Sequence, residues 1–129
     1  MSRPRFLLDT AAVIWVADGS LPVTPREAYQ NPLADIYVSV VSLWEIGIKH
    51  ALGKLPLPKP YVEFLRDWEQ IERVTLLPLT PAPLRRLPSL PPVHRDPFDR
   101  LLVCQALDLG ASLLSPDPAL GAYGVGRVW

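Results

Sequence analysis

Hydrophobic positions along the chain alternate between short unbroken runs and helical spacing, which predicts strands and helices in turn. Arg5 to Leu8 is an apolar run short enough for a buried strand of a parallel sheet. Ala11 to Ala17 reads as a short helical run stopped by Asp18-Gly19-Ser20. Thr24-Pro25-Arg26-Glu27 has the form of a capping box with proline at the first helical position, so a helix is expected from about Pro25 to Asn31. Ile36 to Val40 is strand-like. Either Ser39 or Ser42 then caps a helix that runs to about Leu52 and stops at Gly53.

Leu55-Pro56-Leu57-Pro58-Lys59-Pro60 is too rich in proline for a helix or a central strand and reads as a stiff connector. Tyr61, Phe64, Leu65, Trp68 and Ile71 recur at helical spacing, with Glu63, Arg66, Asp67 and Glu69 on the opposite face. Val74 to Leu77 is a strand. Residues 78–97 hold seven prolines, which predicts an irregular passage around a short turn of helix at Pro83 to Leu87. Phe98 to Leu109 is a helix ending at Gly110, Ala111 to Leu114 a strand, Pro118 to Tyr123 a short helix, and Val125 to Trp129 an edge strand. The order predicts one domain over residues 1–129, a three-layer α/β/α sandwich with a mainly parallel central sheet.

Composition narrows the function. A chain of 129 residues can build a core without disulfides, and its one cysteine, Cys104, lies in an apolar run that predicts a buried thiol. Met1-Ser2-Arg3-Pro4-Arg5 leads straight into a run carrying Asp9, and there is no charge-free span near 18 residues. Neither export nor membrane insertion is expected, and the cytoplasm is the default compartment. Net charge is zero, which argues against gripping nucleic acid by bulk charge. Any nucleic-acid substrate must meet a local patch. Arginines outnumber lysines ten to three and are the better bidentate phosphate binders. Arg85, Arg86, Arg95 and Arg100 form either such a patch or a solvated surface.

The candidate chemistry lies in four acids set in or beside apolar segments: Asp9, Glu45, Asp99 and Asp117. In a parallel sheet, ligands bind beyond the carboxyl ends of the strands, where the strand order reverses. Asp9 and Asp117 fall at such ends, Asp99 opens a helix, and Glu45 lies about one turn into another. Each has a local reading as well. Asp96-Pro97 and Asp117-Pro118 have the form of N-caps, and Asp99 at the third helical position favours the helix dipole. Glu45 has Lys49 four residues on as a salt-bridge partner. Asp9 has the weakest local reason. Two carboxylates about 5 Å apart repel by roughly 3 kcal/mol at an effective dielectric near 20. Four together would cost much of a domain's stability unless some are protonated or a cation sits among them, and an all-oxygen set of hard ligands suits Mg²⁺ or Mn²⁺. His50 and His94 form no zinc-like cluster, and Gly121-Ala122-Tyr123-Gly124-Val125-Gly126 is not a phosphate loop.

At these residues the chain resembles the PIN domain family, and within it the VapC-type toxins of toxin–antitoxin pairs. The resemblance runs from Arg5 to Trp129. It rests on Leu7-Leu8-Asp9-Thr10, on Ser42 through Lys49, on His94-Arg95-Asp96-Pro97-Phe98-Asp99-Arg100-Leu101-Leu102, and on Ser115-Pro116-Asp117-Pro118. It implies that Asp9, Glu45, Asp99 and Asp117 are the family's acidic quartet, holding Mg²⁺ or Mn²⁺, with Asp96 and Ser115 auxiliary. The implied activity is that of a metal-dependent endoribonuclease, the toxin of a type II module, dimeric and inhibited by a small antitoxin. Its RNA substrate would be hydrolysed by metal-activated water, leaving a 5′-phosphate and a 3′-hydroxyl. Arg95, Arg100 and Lys49 are candidates for steadying the phosphate.

Three other readings compete. Phosphoryl transfer through an aspartyl-phosphate needs a second acid close to the first, and Asp9-Thr10-Ala11-Ala12 has none. A non-catalytic interaction module on this fold predicts a damaged quartet. An RNA-processing nuclease outside a toxin–antitoxin pair keeps the chemistry and changes the setting. Trp15, Trp44, Trp68 and Tyr61 are expected mostly in the core, with one or two at a groove or dimer contact between Leu43 and Ile71.

Overall fold

Leu7 and Leu8 are both fully buried although neighbouring strand residues face opposite sides of a sheet. A strand covered on both faces belongs in the middle of a layered sheet, and that is where Arg5–Leu8, β1, lies in the computed structural model. Residues 3–129 are described, so the Met1-Ser2 start lies outside them. After β1 come α1 (Thr10–Asp18), α2 (Val23–Gln30), β2 (Asp35–Ser39), α3 (Val40–Ala51), α4 (Tyr61–Gln70), β3 (Val74–Leu77) and α5 (Pro81–Leu84). Then come α6 (Pro97–Leu109), β4 (Ser112–Leu114) and β5 (Arg127–Val128), with 3₁₀ turns at Leu87–Ser89 and Pro118–Tyr123. The strand order is β3-β2-β1-β4-β5, and all four pairings are parallel.

Two apolar layers cover the sheet. On one face Leu8, Ile36, Val38, Val74 and Leu114 meet Ala12 and Val13 of α1, Leu43 and Ile46 of α3, and Phe64 and Trp68 of α4. On the other, Leu7 and Leu113 meet Leu102, Val103 and Ala106 of α6, with Leu120 and Tyr123. The architecture is the expected three-layer α/β/α sandwich. A buried polar link ties the second layer to the sheet: Ser39 Oγ donates to Gln105 Oε1 at 2.5 Å, and Gln105 Nε2 donates to the Pro78 carbonyl at 3.3 Å. Among the described residues no helix is long and apolar enough to cross a membrane.

Several boundaries differ from the sequence reading. The α2 helix begins at Val23, with Pro22 in the N-cap position and no side-chain cap, so Thr24 and Pro25 sit inside the first turn. Proline is tolerated there because the first N–H groups of a helix lack intrahelical partners. Between Ser39 and Ser42, the cap of α3 is Ser39, whose Oγ accepts the Val41 N–H at 3.0 Å, and this ends β2 one residue earlier than expected. The short helix in the proline-rich passage is Pro81–Leu84, with Thr80 in the N-cap position, and Leu87 falls instead in the 3₁₀ turn Leu87–Ser89. Trp68 is in the core and Trp15 packs on Trp129 with centroids 5.2 Å apart. Trp44 is 55% exposed, its ring meeting Phe98 edge-on at 5.1 Å.

Candidate metal centre

The chain runs from β1 outward to β2 and β3, then returns to place β4 on the other side of β1. The strand order therefore reverses between β1 and β4, and a crevice opens beyond their carboxyl ends. Asp9 comes directly after β1 and donates its backbone N–H to the Leu114 carbonyl of β4 at 3.0 Å. Asp117 lies three residues beyond β4. Each of these two acids caps the helical turn next in the chain: Asp9 Oδ1 accepts the Ala12 N–H at 2.8 Å, and Asp117 Oδ1 accepts the Ala119 N–H at 3.0 Å. Asp9 thus has a local reason that its sequence does not suggest. Asp96 caps α6 by accepting the Phe98 N–H at 2.9 Å, which leaves Asp99 at the third helical position.

Glu45 arrives from a different direction, on the second turn of α3, and is only 4% exposed. Thr10 Oγ1 donates to its Oε1 at 2.7 Å, and the Lys49 ammonium pairs with its Oε2. Burial of Glu45 rules out a plain surface salt bridge. A carboxylate placed this deep needs its donors, since an unpaired one would cost several kcal/mol.

Asp9, Glu45, Asp96, Asp99 and Asp117 line one cleft of about 410 Å³, together with Lys49 and Lys54. Five carboxylates there face two ammonium groups. Asp9 is pushed up to about 6, first by burial and then by Glu45 and Asp117, against the opposing pull of the Ser115 hydroxyl and the Ala12 amide. Asp99 is likewise raised to about 6, by burial and by Asp96, Glu45 and Asp9, while His94 pulls it down. Lys49 is shifted upward, mainly by its bond to Glu45 and further by Asp96 and Asp99. The acids are close enough to feel one another, and a divalent cation is what would relieve them. Oxygen donors on a rigid frame are the right chemistry for a hard one.

Other expected residues are sorted differently. Ser115 is buried beneath the cleft, its Oγ accepting the Asp117 N–H at 3.1 Å. Arg95 is exposed and, like Arg100, does not line the cleft; Arg100 donates to the Pro91 carbonyl at 3.1 Å. Lys54 is an addition that the sequence reading misses. The left-handed Gly53, φ +71°, turns the chain so that the Lys54 N–H reaches the Lys49 carbonyl at 2.9 Å. His94 is a second addition: its Nε2 lies 3.1 Å from Asp117 Oδ2 and 3.5 Å from Asp99 Oδ2. In the sequence it opens the His94-to-Leu102 motif, two residues before the Asp96 cap, with nothing there to mark Asp117 as its partner.

A sequence model of the PIN domain family matches residues 6–125. No curated protein matches the sequence. Among solved structures, VapBC2 from Rickettsia felis, bound to a DNA fragment from its promoter, matches with a TM-score of 0.69 at 13% identity, over 95% of this chain and 96% of that one. VapBC-1 from nontypeable Haemophilus influenzae matches at 0.67 with 20% identity, over 95% and 96% of the two chains. FitAcB from Neisseria gonorrhoeae matches at 0.66 with 18% identity, over 95% of each. At such identities the likeness shows the fold. The family match over nearly the whole length shows more: the chain belongs to the PIN domain family.

Proposed function

We propose that this protein is a Mg²⁺- or Mn²⁺-dependent endoribonuclease, the toxin of a type II toxin–antitoxin module acting in the cytoplasm. The observation that carries the reading is the meeting of Asp9, Glu45, Asp99 and Asp117 in one cleft at the β1–β4 switch point. These four would hold the cation. When bound, it would supply positive charge to the scissile phosphate and to the departing oxygen. Thr10 fixes the orientation of Glu45 from below. Lys49 and Lys54, the cleft's two ammonium groups, are placed to attract the RNA phosphates, a role the sequence offered to Lys49, Arg95 and Arg100. Asp96 and Ser115 support the quartet as a helix cap and as a hydroxyl beneath it. Water would attack the phosphorus and the ribose 3′-oxygen would leave as the P–O3′ bond breaks, so the products would carry a 5′-phosphate and a 3′-hydroxyl.

The likeness to VapBC and FitAcB chains supports a small antitoxin as partner. The apolar row Val40, Trp44 and Ile48 along the exposed side of α3 supports a homodimer. The test is incubation of total RNA with purified protein and Mg²⁺, Mn²⁺ or EDTA, beside an Asp9→Asn variant. Discrete metal-dependent fragments with 5′-phosphate ends, absent with the variant, are expected. A 2′,3′-cyclic phosphate would overturn the mechanism. No cleavage by folded, partner-free protein would favour a non-catalytic interaction module, and cleavage without toxicity on expression an RNA-processing role.

A further inference from the structure

The proline-rich segment before α6 ends at His94, which is held at three points beside two of the cleft's acids. Its backbone N–H donates to Tyr123 Oη at 2.7 Å. Its ring Nδ1 accepts the Asp96 backbone N–H at 3.2 Å. Its ring Nε2 faces Asp117 Oδ2 at 3.1 Å and Asp99 Oδ2 at 3.5 Å. Atoms of His94, Asp99 and Asp117 lie within 4.8 Å of one another, so the ring looks at first like a third ligand for a cation.

The Asp96 contact decides otherwise. A backbone N–H can only donate, so Nδ1 must present its lone pair, and the one proton of a neutral imidazole then sits on Nε2. A nitrogen carrying a proton has no lone pair for a metal. What Nε2 offers instead is a donor aimed at two carboxylates. Asp117 is already held at Oδ1 by the Ala119 N–H, so a bond at Oδ2 fixes its remaining rotation. Each oxygen keeps a further lone pair.

We infer that His94 is a positioning residue, which holds Asp117 against Asp99 through Nε2–H and stays outside the ligand set. The inference rests on the cation-binding reading of the cleft. Tyr123 makes the arrangement stiff: it is buried at the far end of the same 3₁₀ turn that Asp117 caps, so His94 is fastened to both ends of that turn. The sequence distance from Tyr123, with |i−j| of 29, explains why no local pattern announces it. Partners of this outer kind typically contribute 10- to 100-fold to metal affinity.

The test has two independent readouts. Long-range ¹H–¹⁵N correlation spectra of the metal-free protein should show the His94 ring with its proton on Nε2; a proton on Nδ1 overturns the inference. Mn²⁺ titration followed by electron paramagnetic resonance should show His94→Phe binding about tenfold more weakly than the native protein. His94→Gln, which returns an N–H at the reach of Nε2, should stay within about threefold, with both variants matched to the native protein in urea melts. Native-like affinity in His94→Phe, or a directly bound nitrogen in the pulsed spectrum of the native Mn²⁺ complex, overturns the positioning role. Native protein that binds no Mn²⁺ removes the cation reading and the role with it, and the metal-free tautomer tells that failure apart from an error about His94.

Discussion

Thr10 donates its hydroxyl to Glu45 Oε1 at 2.7 Å, joining the first residue of α1 to the middle of α3 beneath the cleft. Thr10 Oγ1 also lies 3.2 Å from Ser42 Oγ, and because its own proton is committed to the carboxylate, the Ser42 hydroxyl supplies the one between them. Thr10→Val keeps the shape and strands Oε1 in a buried place. A loss of about 1–3 kcal/mol in urea unfolding is expected, with weakened Mn²⁺ binding. Thr10→Ser should restore most of both. A Thr10→Val protein as stable as the native one would show that Glu45 finds another donor.

Lys49 is the resident counter-charge of the cleft, paired with Glu45 and drawn on by Asp96 and Asp99. An arriving cation must compete with it. On a half-exposed side chain, one unit charge near a divalent ion is worth about 1 kcal/mol after screening. Lys49→Met should therefore bind Mn²⁺ about fivefold more tightly while cutting RNA more slowly, since the ammonium that attracts the phosphates is gone. Calorimetric titration set beside a cleavage time course separates the two. Affinity and rate falling together would mean that Lys49 only holds Glu45 in place.

Asp99 is raised by burial and by three other acids, so in the metal-free protein its charge is a liability. Asp99→Asn keeps the shape and removes that charge. The variant should be more stable than the native protein by about 1 kcal/mol without metal, yet gain no melting temperature from added Mn²⁺. Thermal melts with and without the ion read both effects. If Mn²⁺ raises the melting temperature of both proteins equally, Asp99 does not hold the cation.

Much of the fold and the cleft is legible in the sequence because local chemistry marks it. The all-apolar run ending β1, the Asp-Pro pairs before α6 and before the 3₁₀ turn at Pro118–Tyr123, and Gly110 after α6 are signals read within a few residues. Asp9, Asp99 and Asp117 stand at such junctions, which a parallel sheet gathers at one edge, so their meeting is a consequence of topology. His94 reaches Asp117 and Asp99 from an irregular proline-rich segment, Lys54 reaches the cleft through a left-handed turn, and neither leaves a period or a cap in the sequence. Arg100 is the opposite case, adjacent to Asp99 in sequence while its side chain donates to the Pro91 carbonyl. Thr24 fails as a cap because the preceding backbone at Pro22 already starts the helix.

Gly47 lies inside α3, where alanine would normally favour the helix by about 1 kcal/mol. A Cβ there would meet the Tyr61 ring and hydroxyl at 2.8 Å, and that hydroxyl donates to the Leu43 carbonyl at 2.5 Å. The ring is wedged between α3 and α4 and cannot retreat without breaking the bond. Gly47→Ala should thus destabilise the protein by about 1–3 kcal/mol. Adding Tyr61→Leu, which clears the space, should make the alanine neutral or favourable in the same urea assay. Destabilisation by Gly47→Ala that persists undiminished in the Tyr61→Leu background would place the clash elsewhere.

Asp9 and Asp99 are both raised from 3.8 to about 6, so each binds a proton more readily in the folded than in the unfolded protein. The stability they contribute is complete below the unfolded value near 4 and is lost as pH rises through 6. Metal-free protein should accordingly gain melting temperature, on the order of 5 °C, as pH falls from about 8 to 5. Cation binding needs the same carboxylates ionised, so Mn²⁺ affinity should fall over that range. Saturating Mn²⁺ should then raise the melting temperature strongly at pH 8 and little at pH 5, flattening or reversing the metal-free slope. The check is a melt series across pH with and without the ion. A metal-free melting temperature that drops steadily from pH 8 to 5 would mean that the two carboxyls are solvated enough to titrate normally, and the cleft would lose its electrostatic demand for a cation.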